Sequence, residues 1–390
     1  MNKLTIGMFG FGCVGQGLYH TLLYSTGFTT HIKKIVVKTH GKKREAPVDL
    51  FSFNKEDILN DDSINVVVEL IDDAAEAFEI VKSALQRGKH VITANKKMVA
   101  LHLTELLQLQ EANDVSLLYE GAVCGSIPII RTLEEYFDNE PLHKVSGIFN
   151  GTTNYILTKT LHEGMNYAEA LSQAQEKGFA ETDPTSDVEG YDVMYKTIIV
   201  ALQSFGVLLD STQLVRTGIT NIKAKDVAFA STQHKVIKLL ANVVKQSDGG
   251  VAAYILPALV ANNHSLANVH NEFNGVVVEG EFSGTQFFMG RGAGSYPTGA
   301  AVLSDVSALS YGYRYAFKKH AQKIHYGFTN DVVLPIFISS PVQEDIDSVS
   351  LVEEKILPVT ENYFSKTGHI NLNMLKQQLI QTPRLFVATL

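Results

Sequence analysis

The stretch that most restricts the fold is "LTIGMFGFGCVGQGLYHTLL", residues 4–23: a short apolar run, three spaced glycines, then an apolar helical pattern. Gly10, Gly12 and Gly15 fit the spacing G-x-G-x-x-G directly after a predicted strand and before a predicted helix. The first glycine permits a tight turn. The second lets backbone approach a pyrophosphate, and the third lets helix and strand pack closely. The helix that follows offers unpaired N–H groups and a partial positive charge to phosphate. One such match is weak alone, because glycine turns are common. Its surroundings strengthen it: "IKKIVVK" (32–38), "INVVVELI" (64–71) and "KHVITANK" (89–96) read as further strands, and "AAEAFEIVKSALQRGK" (74–89) reads as a helix ending at a glycine. Alternation of this kind predicts a parallel, doubly wound α/β sheet that binds a dinucleotide.

At the end of the second predicted strand, a binder of NAD usually carries an acid for the ribose 2′-hydroxyl. Here Lys38, Lys42, Lys43 and Arg44 come first. Two readings stay open: a solvated basic loop, or a seat for the 2′-phosphate of NADP, with NAD as the second possibility.

The 390 residues suffice for two or three domains, and a net charge of −8 without a basic tract argues against nucleic acid or an anionic membrane as partner. No run of 18 apolar residues suggests a membrane span, and nothing at the N-terminus reads as a signal or presequence, so the expectation is a soluble cytoplasmic protein. Cys13 and Cys124 belong to no metal or disulfide pattern.

A second unusual stretch is "ETDPTSDVEGYDVMYK" (181–196), with five carboxylates in twelve positions and a closing lysine. Downstream of Pro184, Val188, Tyr191, Tyr195, Ile198, Leu202 and Phe205 read as one helical face, with Asp192 and Lys196 one turn apart on its flank. Such a pair is either a surface ion pair or part of a pocket that moves a proton.

Four stretches, "VITANKKMVA" (91–100), "FNGTTNYIL" (149–157), "AETDPTSDVEGYDVMYK" (180–196) and "GRGAGSYPTGAAVLSD" (290–305), occur in this order after the glycine turn. Together they resemble homoserine dehydrogenase over about residues 1–310. The resemblance implies interconversion of L-homoserine and L-aspartate 4-semialdehyde with NAD(P)(H), on the route to threonine, isoleucine and methionine. It matches Lys196 to a proton-transferring lysine and Asp192 to the acid that holds it. Lys96 matches a charge between nicotinamide and substrate, and Glu181 the group that binds the substrate's amino end. Asp187, Gly151, Thr152, Gly178 and Phe179 fall at further substrate positions. The cofactor positions implied are Gly10, Gly12, Cys13, Val14, Gly15, Lys38, Arg44, Thr93, Ala94, Asn95, Lys96, Gly292, Gly294 and Thr298, with Pro297 opening a helix that returns to complete the site.

"YEGAVCGSIPII" (119–130) is an ordinary glycine loop by its residues alone. By resemblance it is a monovalent-cation loop using Glu120 and the main-chain oxygens of Val123, Gly125 and Ile127, an oxygen set that suits sodium. Departures from the family's pattern are Phe179 for a tyrosine, Asp72-Asp73 where glycines are common, and Ser186 for an acid.

The expected organisation is a dinucleotide-binding domain over 1–135, completed by a helix over 297–312. A catalytic and dimerising α/β domain spans 136–300, and a small ACT-like α/β module 325–390. In that module "VVLPIFISSPVQEDIDSVSLVEEKI" (332–356) gives a strand and a helix from near Asp347. Pro341 lacks the glycine of an amino-acid-binding turn, and Glu344, Asp345 and Asp347 would repel a carboxylate though attract an ammonium group, so a packing role and an amino-acid-sensing role both stay open. A homodimer or higher homo-oligomer is expected. Two rival readings are an acylating semialdehyde dehydrogenase built on Cys124, and a protein that only senses dinucleotide.

Overall fold

A computed structural model describes residues 3–27, 30–322, 326–358 and 363–390. The expected domain starts at residues 1 and 325 lie outside these. The chain divides into two compact units, Met1–Asp138 with Gly290–Ala321, and Asn139–Met289 with Gln322–Leu390.

The first unit is built on six strands: β1 Leu4–Phe9, β2 Thr30–Val36, β3 Phe51–Ser52, β4 Val66–Glu69, β5 His90–Thr93 and β6 Leu117–Leu118. Their order is β3-β2-β1-β4-β5-β6, and every pair is parallel. β1 and β4 are buried at every position, as strands covered on both faces must be. The order reverses direction between β1 and β4, which puts the ends of these two strands at the switch point where α/β sheets bind ligands.

Helix Ala74–Gln86 starts where Asp73 accepts the Glu76 N–H and stops before Gly88, which sits at φ +71°. The returning helix runs Ser295–Ser310 rather than from Pro297, so the proline lies in its first turn. It packs on helix Cys13–Leu23 through paired glycines: a Cβ on Gly299 would stand 2.6 Å from the Gly17 carbonyl carbon.

The second unit carries a sheet of ten strands: β7 Leu142–Ile148, β8 Val215–Arg216, β9 Lys235–Lys245, β10 Val251–Ala261, β11 Phe273–Gly280, β12 Gly284–Arg291, β13 Val333–Ser340, β14 Val352–Ile356, β15 Phe364–Asn371 and β16 Phe386–Thr389. The order is β12-β11-β7-β9-β10-β16-β13-β15-β14, with β8 beside β10. β9 and β10 pair antiparallel in register along their whole length. The last four strands and two helices, Gln343–Ser348 and Leu372–Gln381, run βαββαβ with the order β16-β13-β15-β14. Their apolar faces share one core with β10, in which Ile336, Ile338, Val387 and Leu256 meet. The first of those helices begins at Gln343, four residues before the expected start. Asp345 is buried there, accepting from Ser340 Oγ at 2.7 Å and from Arg384 at 3.2 Å, so it is not the open, repelling acid expected of it.

Helix Tyr191–Phe205 departs from the expected stripe. Gly190 adopts φ +79° and separates it from a short helix, Thr185–Val188, so Val188 does not continue the face. The helix is buried almost all round, and Tyr191 is among its exposed residues. Neighbours cover both of its sides, and one-faced periodicity does not describe it.

Candidate functional site

In the second unit, Lys196 and Asp192 are both buried, at 8% and 3% exposure, and the lysine Nζ donates to Asp192 Oδ2 at 2.6 Å. Lys196 also donates to the Phe149 carbonyl at 2.7 Å. Two of the ammonium's three N–H groups are thus committed. Asn150 Nδ2 donates to Asp192 Oδ2 at 2.9 Å and to Asp187 Oδ1 at 2.7 Å. The surface ion pair is therefore not what these residues form. Asp192 also stands in the first turn of its helix, where the aligned peptide dipoles favour negative charge.

Gly151 opens helix Gly151–His162, where a Cβ would come within 2.6 Å of the Glu272 carbonyl oxygen. Thr152 Oγ1 donates to the Phe179 carbonyl at 2.5 Å, and the Phe179 ring packs on Tyr155. Gly178 takes φ +74° in the turn that ends helix Tyr167–Glu176. Glu181 is exposed, and among the described residues no hydrogen bond joins its carboxylate to Asn150, Asp187, Asp192 or Lys196. Two more of the five acids have local duties: Asp183 accepts from Thr185, and Glu189 from Thr220.

In the first unit, the glycine turn sits at the switch point. Gly10 has φ +91°, and a Cβ on it would stand 2.5 Å from the Leu70 carbonyl oxygen at the end of β4. A Cβ on Gly15 would meet the Gly10 carbonyl at 2.6 Å. A Cβ on Gly12 would meet nothing within 4 Å, so its backbone faces open space, and no side chain caps the helix that starts at Cys13. An uncapped helix end behind a bare backbone fits a pyrophosphate. Cys13 is exposed and its carbonyl accepts from Ser295 Oγ at 2.7 Å; Val14 is half-buried.

Thr93 and Asn95 stand at the end of β5. Asn95 Oδ1 caps the helix Lys96–Ala112, and Ala94 packs beside Gly121. Lys96 is the first residue of that helix and is half-buried. Gly294, at φ +121°, precedes the helix containing the buried Thr298, and Gly292 lies against Gly125. Beyond β2, Lys38 forms an ion pair with Glu76, which raises the lysine pKa further. Arg44 donates to the Thr39 and Lys42 carbonyls and lies 5.2 Å over the Phe51 ring.

Glu120 is buried, and its carboxylate accepts the Ile130 N–H at 2.9 Å and the Arg131 N–H at 2.8 Å. Burial nonetheless pushes it up to about 7. Val123, Gly125 and Ile127 are also buried; Gly125 and Cys124 both have positive φ, and the Ile127 carbonyl accepts from Ile129 N–H. Among the described residues no group of three or more His, Cys, Asp or Glu could hold a metal. Cys124 is 1% exposed, which does not suit an acylating nucleophile.

Residues that sequence reasoning passed over include Asn150 and Glu69. Glu69 is fully buried at the end of β4; its oxygens accept from Ile71 N–H at 2.7 Å and Thr93 Oγ1 at 2.6 Å, and burial pushes its carboxyl up to about 7. The one available signal was an acid closing an otherwise apolar strand.

A parallel sheet in this order, a bare glycine turn at its switch point and a buried lysine–aspartate pair in a second α/β unit fit a nicotinamide-dependent oxidoreductase. A family model described as "Homoserine dehydrogenase, NAD binding domain" matches residues 10–120, and one described as "Homoserine dehydrogenase" matches 128–307. The homoserine dehydrogenase of Bacillus subtilis (strain 168) is 39% identical over 319 residues, covering 79% of this chain and 73% of that protein. The crystal structure of a homoserine dehydrogenase from Thiobacillus denitrificans superposes with a TM-score of 0.87 at 26% identity, covering 100% of this chain and 98% of that one. A hyperthermophilic archaeal homoserine dehydrogenase mutant in complex with NADPH shares the fold, with a TM-score of 0.69 at 24% identity over 81% of this chain and 100% of that one. The chain belongs to the homoserine dehydrogenase family, whose members interconvert L-homoserine and L-aspartate 4-semialdehyde by hydride transfer with a nicotinamide cofactor.

Proposed function

We propose that Lys196 is the proton-transferring residue of this reaction, held by Asp192. The observation that carries the proposal is the buried ammonium with two N–H groups committed to Asp192 and Phe149 and a third left to donate. The bound cofactor supplies or accepts the hydride at the carbon that is aldehyde in one direction and alcohol in the other. Lys196 gives a proton to the oxygen as negative charge develops there, and takes it back from the hydroxyl in the oxidative direction. Lys96 is assigned the charge that steadies that oxygen. Glu181 and Asp187 are assigned to the amino end of the substrate, with Gly151, Thr152, Gly178 and Phe179 shaping the contact. Lys196→Ala should lower kcat roughly 10²–10⁴-fold while cofactor affinity stays near wild type. A variant that keeps most of its turnover would remove Lys196 from this role.

The residues around the glycine turn fit a dinucleotide, and we assign Gly10, Gly12, Cys13, Val14, Gly15, Thr93, Ala94, Asn95, Lys96, Gly292, Gly294 and Thr298 to it. NADP is proposed to bind at least as well as NAD. Lys38 and Arg44 beyond β2 support this, and the NADPH complex of the archaeal protein is consistent with it. A sodium ion is proposed at Glu120 with the carbonyls of Val123, Gly125 and Ile127. Each Glu120 oxygen already accepts one amide and retains a second lone pair, and a cation would favour the ionised form that burial disfavours.

Residues 1–135 with 297–312 are assigned to cofactor binding, 136–300 to catalysis and dimerisation, and 325–390 to an ACT-like module, for which the βαββαβ run is the support. We assign the protein to the cytoplasm as a homodimer or larger homo-oligomer. No helix among the described residues is long and apolar enough to cross a membrane.

A further inference from the structure

Asn150 stands at the junction between β7 and the helix Gly151–His162, where it is 5% exposed. Its Oδ1 accepts the Thr153 N–H at 2.8 Å and so caps the helix. That contact fixes the orientation of the amide. A backbone N–H can only be met by the carbonyl end, so the NH₂ end must face the other way. There it meets Asp187 Oδ1 at 2.7 Å and Asp192 Oδ2 at 2.9 Å, two acceptors that an amide NH₂ can satisfy with its two hydrogens. The residue before it, Phe149, gives its carbonyl to Lys196 Nζ. Two consecutive residues therefore hold both the lysine and the acid that holds the lysine.

The junction is itself anchored. Asn154, one turn along the helix, donates to the carbonyls of Val269, Asn271 and Phe273, and its Oδ1 accepts from the buried Lys238 at 2.9 Å. Gly151 leaves no room for a Cβ beside Glu272. The helix start cannot shift without breaking these contacts, so the amide of Asn150 is presented from a rigid element.

From this geometry we infer that Asn150 is the positioning residue of the proton-transfer pair: its amide bridges Asp187 and Asp192 and fixes the Asp192 oxygen to which Lys196 is bound. The inference rests on Lys196 being the proton-transferring group. The Asn150 side chain bonds to Asp187, Asp192 and the Thr153 N–H and not to Lys196, and acts through Asp192. Without the amide, the donor that joins these two carboxylates is lost. Asp192 Oδ2 then loses the Asn150 contact that stands beside its contact with Lys196, and the direction of the lysine's remaining N–H loosens with it. A neutral donor is required at this point; a side chain of the same shape that only accepts cannot replace it.

Asn150→Asp makes that distinction. Asp caps a helix about as well as Asn, and the two are nearly isosteric, so the Thr153 contact is kept. The donor between the two acids is replaced by a third carboxyl. Ionised, that carboxyl adds negative charge beside Asp192 and strengthens the hold on the lysine's proton. The experiment compares wild type, Asn150→Asp, Asn150→Ser and Lys196→Ala as full-length chains, measuring kcat and KM for L-homoserine across pH, cofactor Kd and thermal midpoint. Asn150→Asp should lose at least tenfold in kcat, with cofactor Kd within about twofold of wild type. The limb of the pH profile that depends on a deprotonated base should move to higher pH. Asn150→Ser, which keeps a cap but cannot bridge both acids, should lose kcat without that upward move. Wild-type kcat and an unshifted profile in Asn150→Asp overturn the inference, as does a loss in kcat matched in size by a loss of cofactor affinity. If Asn150→Asp does not fold, unchanged kcat in Asn150→Ser overturns it instead. Full turnover in Lys196→Ala would count against the parent reading. An inactive Lys196→Ala beside an unperturbed Asn150→Asp would count against this inference alone.

Discussion

Lys238 offers a stability test whose sign and size come from its surroundings. It lies on β9 at 1% exposure, with Nζ donating to Asn154 Oδ1 at 2.9 Å and to the Val269 carbonyl at 2.6 Å. Burial pushes its amine down from 10.5 to about 8. That difference corresponds to about 3 kcal/mol of destabilisation whenever the unfolded lysine is charged and the folded environment resists the charge. Below about pH 8 the amine is protonated in both states, and the full cost is present. As pH rises from about 8 through 10.5 the folded amine is neutral while the unfolded one is still losing its proton, so the cost disappears and stability climbs. Lys238→Met keeps an unbranched side chain of similar length and removes the charge. It also strips Asn154 Oδ1 of its donor, which costs about 1–3 kcal/mol, while the Val269 carbonyl keeps Asn154 Nδ2 at 3.2 Å. Gain and loss nearly cancel at pH 7, and the expected variant is within about 2 kcal/mol of wild type. The distinguishing result is the pH dependence: between pH 7 and pH 10 wild type should gain about 2–3 kcal/mol relative to Lys238→Met. Urea unfolding of both proteins at the two pH values, followed by circular dichroism, measures it. A difference between the two proteins that stays constant across this range would refute the reasoning.

If the loop beyond β2 seats a 2′-phosphate, Lys38→Asp should weaken NADP binding more than NAD binding, whereas Glu76→Gln, which frees Lys38 from its ion pair, should strengthen NADP; paired dissociation constants decide. Alkylation should label the exposed Cys13 and spare the buried Cys124, and saturating cofactor should protect Cys13 at the helix start; peptide mass mapping reads both. Threonine should leave the initial rate at subsaturating homoserine unchanged, because the turn at Pro341 has no glycine, and Glu344 and Asp347 beside it remain exposed acids. Strong inhibition that vanishes on deleting residues 326–390, with activity kept, would contradict this.

The glycine turn was legible in the sequence because its physics is local: strand, left-handed Gly10, bare Gly12 and close-packed Gly15 lie within a dozen residues. The one-turn spacing of Asp192 and Lys196 was equally local. Their burial was not, because a helix spacing gives which residues are neighbours and not what covers them. Asn150 donates to a carboxylate 42 positions away, Glu69 binds Thr93 across 24, and the Asp305 carboxylate accepts the Glu120 N–H across 185. No periodicity encodes such pairs. The stripe drawn through Val188 and Tyr191 failed for the same reason: Gly190 turned the chain, and neighbouring elements covered the helix from more than one side. Local backbone chemistry thus came from the sequence alone. Which carboxylates lie in low dielectric, and which donors reach them, was decided only when the folded chain brought distant residues into contact and took them out of water.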